Sequence, residues 1–119
     1  MGARHYCEGL PMNEYKIALP VNSNSGAPYD KAREAWEGMA LIIAGGYTRE
    51  GSQACGAWMN AGHVYKEPMQ GYTIAASREH FARLVGAAFD LFPDQLAIYT
   101  ARGGNAEIIP RPKNEVSNG

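Results

Sequence analysis

Glu67 is the one acid in the run HVYKEPMQGYTIAA, residues 63–76, a segment otherwise composed for a sheet. Tyr65 precedes it by two residues and Tyr72 follows by five, while Tyr47 in GGYT and Trp58 in GAWMN add further rings upstream. A carboxylate at the head of such a strand either faces another group or is a solvated edge charge that discourages edge pairing, and Trp58 with Tyr65 fits a simple cross-strand aromatic pair.

Other chemistries find no support. His5, His63 and His80 form no H-x-x-x-H pair, and Cys7 and Cys55 lack C-x-x-C spacing, so neither a metal site nor a disulfide framework is expected. Cys55, in ACGA and without a histidine partner, reads as a buried, inert thiol. There is no G-x-x-x-x-G-K-[ST] loop and no G-x-G-x-x-G fingerprint. No cofactor is expected.

Several elements must position these side chains. In YKIALPV (15–21), Ile17, Leu19 and Val21 alternate onto one face of a strand, which Pro20 places near an edge or an end. After the turn chemistry of NSNSGAP, a helix starts near Tyr29 or Asp30. Its buried stripe is Tyr29, Ala32, Trp36, Met39, Ala40 and Ile43, with Lys31, Arg33, Glu34 and Glu37 outside, and Gly45–Gly46 end it. Residues 46–60 and 64–76 then form an antiparallel hairpin around Ala61–Gly62, which sets Trp58 opposite Tyr65 and Gly56 opposite Glu67.

Ser77 is an N-cap for a second helix, whose stripe is Phe81, Leu84, Val85, Ala88 and Phe92. QLAIYTA (95–101), RGGN and AEIIP (106–110) read as strand, turn and short strand. The expected architecture is α+β: a ferredoxin-like βαββαβ sandwich with a short extra C-terminal strand. A single domain spans 15–110, between flexible tails at 1–14 and 111–119.

At 119 residues the chain supports one core, and 45% hydrophobic against 19% charged residues is ordinary for a soluble globular protein. A net charge of −1 with no basic run argues against nucleic acid. The absence of a long apolar stretch or a signal-peptide layout argues against a membrane and for the cytoplasm. Two helices cover one sheet face, so the other is left for self-association, with Glu67 and Tyr65 on it at or beside a subunit boundary.

The runs GGYT (45–48), GAWMNAGHVYKEPMQGYTIA (56–75), LFPDQLAIY (91–99) and GNAEII (104–109) together resemble phage-encoded S-adenosylmethionine lyases, once described as hydrolases. The resemblance spans about residues 15–110 as a pattern of elements. It implies cleavage of S-adenosylmethionine to methylthioadenosine and homoserine lactone in a PII-like homotrimer in the host cytoplasm, with substrate between subunits and no cofactor. Its acid maps onto Glu67, which would hold the substrate amino group or ribose hydroxyls. Tyr65 or Tyr47 would position the carboxylate or face the sulfonium, and Trp58 or Tyr72 would stack on adenine, with Gly56 opening the backbone to substrate. A non-catalytic PII-like module holding an adenine nucleotide is the alternative, although residues 45–72 offer only Arg49 and Lys66 for phosphates. A phage protein that blocks a host partner is another.

Overall fold

In the computed structural model, which describes residues 12–51 and 54–113, the first strand forms by simple alternation. β1, Asn13–Pro20, buries Tyr15, Ile17 and Leu19 on one face and exposes Glu14 and Lys16 on the other. It starts inside the segment expected to be a tail; residues 1–11 lie outside the described part.

Helix α1, Asp30–Ala44, opens with Asp30 accepting from Arg33 at 2.7 Å. It stops where Gly45, at φ 87°, takes the left-handed conformation and donates its N–H to the carbonyls of Ala40 and Leu41. Trp36, Glu37 and Ala40 are its buried residues, whereas Met39, expected in the stripe, lies at the rim.

The segment after α1 forms two strands rather than one. β2, Thr48–Arg49, and β3, Ala54–Asn60, both pair with β4, His63–Ala76. From Thr48↔Thr73 to Ala54↔Met69 the outer chain advances six residues while β4 advances four, so two residues bulge out of register. The buried Gln70 amide donates to the Glu50 carbonyl at 3.0 Å and pins this bulge. The β3–β4 turn centres on Ala61 (φ 54°) and Gly62 (φ 79°), both left-handed as a two-residue hairpin turn demands. Trp58 opposes Tyr65 and Gly56 opposes Glu67, as expected from that turn.

Helix α2, Arg78–Leu91, is capped by Ser77, whose hydroxyl accepts from the His80 N–H at 3.1 Å. β5, Ala97–Arg102, and β6, Asn105–Pro110, form the closing hairpin. The sheet runs β2-β4-β1-β5-β6, with β3 also on β4. Both helices cover one face: Trp36 Nε1 donates to the Leu84 carbonyl at 2.9 Å, and Tyr15 stacks on Phe81 at 4.0 Å. Ile17, Leu19, Ile74, Phe92 and Ile98 fill the space between layers. This is the ferredoxin-like α+β sandwich, with β6 as the additional strand.

Alternation turns Lys16, Ala18, Thr73, Ala75 and Tyr99 to the opposite face, where Tyr99 and Ile108 are 45% and 62% exposed. Arg111, assigned by sequence to a loose tail, is instead tied down. Its guanidinium donates to the carbonyls of Phe89, Phe92 and Gln95, taking up orphan acceptors at and beyond the end of α2. Residues 114–119 lie outside the described part, and among the described residues no helix is long and apolar enough to cross a membrane.

Candidate active site

The residues singled out by sequence fall into two groups at opposite ends of β4. The first surrounds Tyr47, which follows the α1 cap and enters β2. With Met12, Glu14, Gly46, Thr48 and Thr73 it lines a cavity of about 510 Å³ at the edge of the sheet. Beside it, Thr73 Oγ1 donates to Glu50 at 3.0 Å and accepts from Lys16 at 3.3 Å. A larger cavity of about 640 Å³ lies between the helices near Met39, Phe89 and Arg111, and contains none of the candidate residues.

Behind Tyr47 stands Glu37, a residue expected outside the helical stripe and found only 7% exposed. Its Oε2 accepts from Tyr72 Oη at 2.6 Å and from Arg49 Nη2 at 2.7 Å, and its Oε1 accepts from Tyr47 Oη at 3.2 Å. Burial opposes ionisation of Glu37, but the Tyr72 hydroxyl, the Arg49 guanidinium and the Tyr47 hydroxyl together outweigh it and hold the carboxyl below its ordinary value of 4.5. Burial first, then the Glu37 carboxylate, push the Tyr72 phenol well above its ordinary range.

Because the folded pKa of Glu37 lies below the unfolded one, its contribution to stability is complete above pH 4.5 and is lost as the pH falls through the depressed folded value. Glu37→Gln is therefore expected to cost about 1–3 kcal/mol at neutral pH. The lower part of that range is favoured because Arg49, released, recovers water. Urea titrations should show the cost shrinking below pH 4.5; a deficit independent of pH would rule out an ionised Glu37.

This geometry corrects the role expected for Tyr72. Its side chain is completely buried, with Trp36 at 4.9 Å and Tyr47 at 5.8 Å between ring centroids, so no ring face is open to a base. Tyr72 belongs to the scaffold that holds Glu37.

The second group lies on the β3–β4 hairpin. Gln70, Tyr72, Ile74 and Ala76 point to the helices, so alternation turns Glu67 to the face without them, where it is partly buried. The buried Gln95 side chain hydrogen-bonds to it, and Asp94 stands nearby, itself held by Tyr29 Oη and the Asn24 N–H, both at 2.6 Å. Burial raises the Glu67 pKa above the usual carboxylate value; the Gln95 hydrogen bond opposes that shift and the Asp94 charge adds to it. The turn carrying Gln95 is the one fastened by Arg111.

Gly56, opposite Glu67, leaves little space: a Cβ there would meet Met69 Cγ at 3.3 Å. Tyr65 is 43% exposed and meets the His63 ring edge-on at 4.5 Å. The Trp58 side chain lies outside what is described, although its backbone pairs with Tyr65. Cys55, expected to be buried, is exposed. Six strand residues, about 20 Å, separate Glu67 from Thr73 at the Tyr47 cavity, so one chain does not bring both groups to one small molecule.

Sequence reasoning missed Glu37, Asp94 and Gln95. The available signal for Glu37 was its position three residues before Ala40 on the flank of the stripe. Among the described residues no three His, Cys, Asp or Glu side chains are grouped to hold a metal ion.

No family model and no curated protein matches the sequence. Solved structures do resemble the fold. The CutA1 divalent cation tolerance protein of Thermus thermophilus matches with a TM-score of 0.52 at 14% identity, over 91% of each chain. The periplasmic CutA of Archaeoglobus fulgidus matches with 0.52 at 10% identity, again over 91% of each. A phage S-adenosylmethionine lyase in complex with S-methyl-5'-thioadenosine matches with 0.51 at 14% identity, over 87% of this chain and 93% of that one. The fold of this chain is accordingly the ferredoxin-like, PII-like sandwich that the CutA1 proteins and a phage S-adenosylmethionine lyase both use.

Proposed function

We propose that the chain cleaves S-adenosylmethionine to methylthioadenosine and homoserine lactone, at sites made between copies of itself. The observation that supports this most is the setting of Glu67. It is a carboxylate partly withdrawn from water on the helix-free side of an exposed hairpin, about 20 Å from the Tyr47 cavity of its own chain. A half-site at each end of β4 suits assembly in which one subunit's hairpin meets the next subunit's cavity, and the uncovered sheet face supplies a surface for it. The likeness in fold to the phage lyase adds to the reading.

The chemistry asks little of side-chain catalysts. A carboxylate oxygen of the substrate attacks its own γ carbon, the carbon–sulfur bond breaks with its electron pair going to sulfur, and the sulfonium becomes a neutral thioether. A five-membered lactone closes and no proton moves. The protein must fold the substrate so that oxygen, carbon and sulfur align, and it must remove water from the two charges that cancel in the transition state. In this reading Glu67 holds the substrate ammonium or ribose hydroxyls, Tyr65 and Tyr47 flank the carboxylate and the sulfonium, and Trp58 stacks on adenine, while the space over Gly56 is taken by Met69.

Reaction in oxygen-18 water tests the route. Lactone trapped early is expected to carry no solvent oxygen in its ring, whereas labelled γ-hydroxyl on homoserine from the outset would mean direct attack by water. Light scattering is expected to give a mass near three times 12.9 kDa. A monomer that retained activity would remove the shared site.

The CutA1 likenesses favour a second reading, a binding module of the same fold without catalysis. That reading expects no methylthioadenosine.

A further inference from the structure

The cavity of about 640 Å³ on the helix side of the sheet takes no part in the reaction set out above, and its volume falls in the range of small-molecule pockets. Its floor is apolar: Ala87 and Phe89 of α2 are 7% and 4% exposed, and α1 contributes Met39 and Ile43. Its charged lining is lopsided, with Arg83, Arg111 and Lys113 against Asp90 alone, in a chain whose net charge is −1.

The cations differ in what holds them. Arg111 is fixed: Nε and Nη2 donate to the carbonyls of Gln95, Phe89 and Phe92, the guanidinium lies 5.0 Å from the centre of the Phe89 ring, and Nη1 keeps its donors. Arg83 and Lys113 are exposed, and among the described residues neither enters an ion pair, with Asp90 or with any other acid. The excess of positive charge is therefore not neutralised by a direct contact within the chain.

The α2 wall of the cavity is also cut away at Gly86. Glycine is disfavoured relative to alanine inside a helix, and a Cβ built at Gly86 would meet nothing within 4 Å. Gly38 of α1 is equally open, but it is Gly86 that lines the cavity. No neighbour in the fold requires the missing side chain, and its absence widens the space beside the cations.

We propose that this cavity is a binding site for a small amphipathic anion, one phosphate or carboxylate head on an apolar body. The head meets Arg83, Lys113 and the Nη1 donors of Arg111, and the body covers Phe89, Ala87 and Met39 across the gap at Gly86. Charge-assisted hydrogen bonds orient the head, and removal of apolar surface from water adds to affinity. The site is independent of the S-adenosylmethionine reading, since none of its residues is assigned to that reaction.

Octyl phosphate and octanoate, each titrated by calorimetry into the full chain below its micelle concentration, distinguish the two heads; octanol and inorganic phosphate present the body and a head alone. One molecule per chain is expected for at least one of the two anions, with octanol and inorganic phosphate at least tenfold weaker. Gly86→Leu, which fills the open space with a better helix former, is expected to weaken that anion at least tenfold while the melting temperature stays level or rises. Arg83→Gln and Lys113→Gln together are expected to weaken it at least tenfold as well. Arg102→Gln, which removes an exposed cation at the β5–β6 turn, is expected to leave it within twofold. Octanol binding as tightly as the anions, unchanged binding in Gly86→Leu or in the double variant, an equal loss in Arg102→Gln, or no saturable binding of either anion would each overturn the proposal.

Discussion

Glu67→Gln is expected to reduce methylthioadenosine production by at least about a hundredfold, the scale of losing a charged contact to a reacting substrate. The melting temperature should stay within about 2 °C of wild type. The substitution keeps size and hydrogen bonding but removes the charge that would hold an ammonium. Stability should change little because Glu67 lies off the helix-packed core and burial already works against its ionised form. The sign of the pH dependence follows from the same setting. The Glu67 pKa is raised, so activity that needs the carboxylate should decline on acidification already above the usual carboxylate range. Asp94→Asn removes a charge that contributes to that rise and should move the decline to lower pH. A fully active Glu67→Gln protein would take Glu67 out of the site.

Mixing two inactive variants should restore activity. If one subunit's Glu67 works with the next subunit's Tyr47, then Glu67→Gln and Tyr47→Ala chains, unfolded and refolded together in equal amounts, form some sites with both groups intact. Random assembly into trimers makes roughly a quarter of the sites whole, so about a quarter of wild-type activity is expected from two preparations that have almost none alone. A site contained within one chain would give no recovery. The approximately 20 Å along β4 between the two groups is the reason to expect the shared arrangement.

Much of this frame was legible in the sequence where periodicity and turn chemistry agreed. Ala61–Gly62 between two extended runs fixed the β3–β4 register residue by residue, and Ser77 and Gly45 marked helix ends through caps that depend on neighbouring backbone alone. What escaped depends on long-range partners. Glu37 reads as a solvent-facing acid until β2 and β4 bring Arg49, Tyr47 and Tyr72 around it, residues 10 to 35 positions away. The bulge that divides β2 from β3 is invisible to alternation, because both flanks are extended and only the partner strand shows the slip. The Tyr72 ring suggests a ligand contact, although its own alternation with Ile74 points it toward the helices.

For Glu67 the sequence offered a face and a partner across the hairpin, Gly56. It did not offer Gln95 and Asp94, which arrive from the turn before β5 and give the carboxylate its environment. Arg111 reads as part of a tail because nothing local in the sequence engages it. Its three carbonyl acceptors sit at and beyond the end of α2, and they fasten the turn on which Gln95 lies.

The most direct test is to incubate the purified chain with S-adenosylmethionine and separate the products by chromatography. Spontaneous decay gives the same two products slowly, so buffer alone and the Glu67→Gln protein serve as references. The account predicts methylthioadenosine and homoserine lactone in equal amounts, at a rate proportional to protein and far above both references. Substrate that disappears no faster with the protein than in buffer would contradict it.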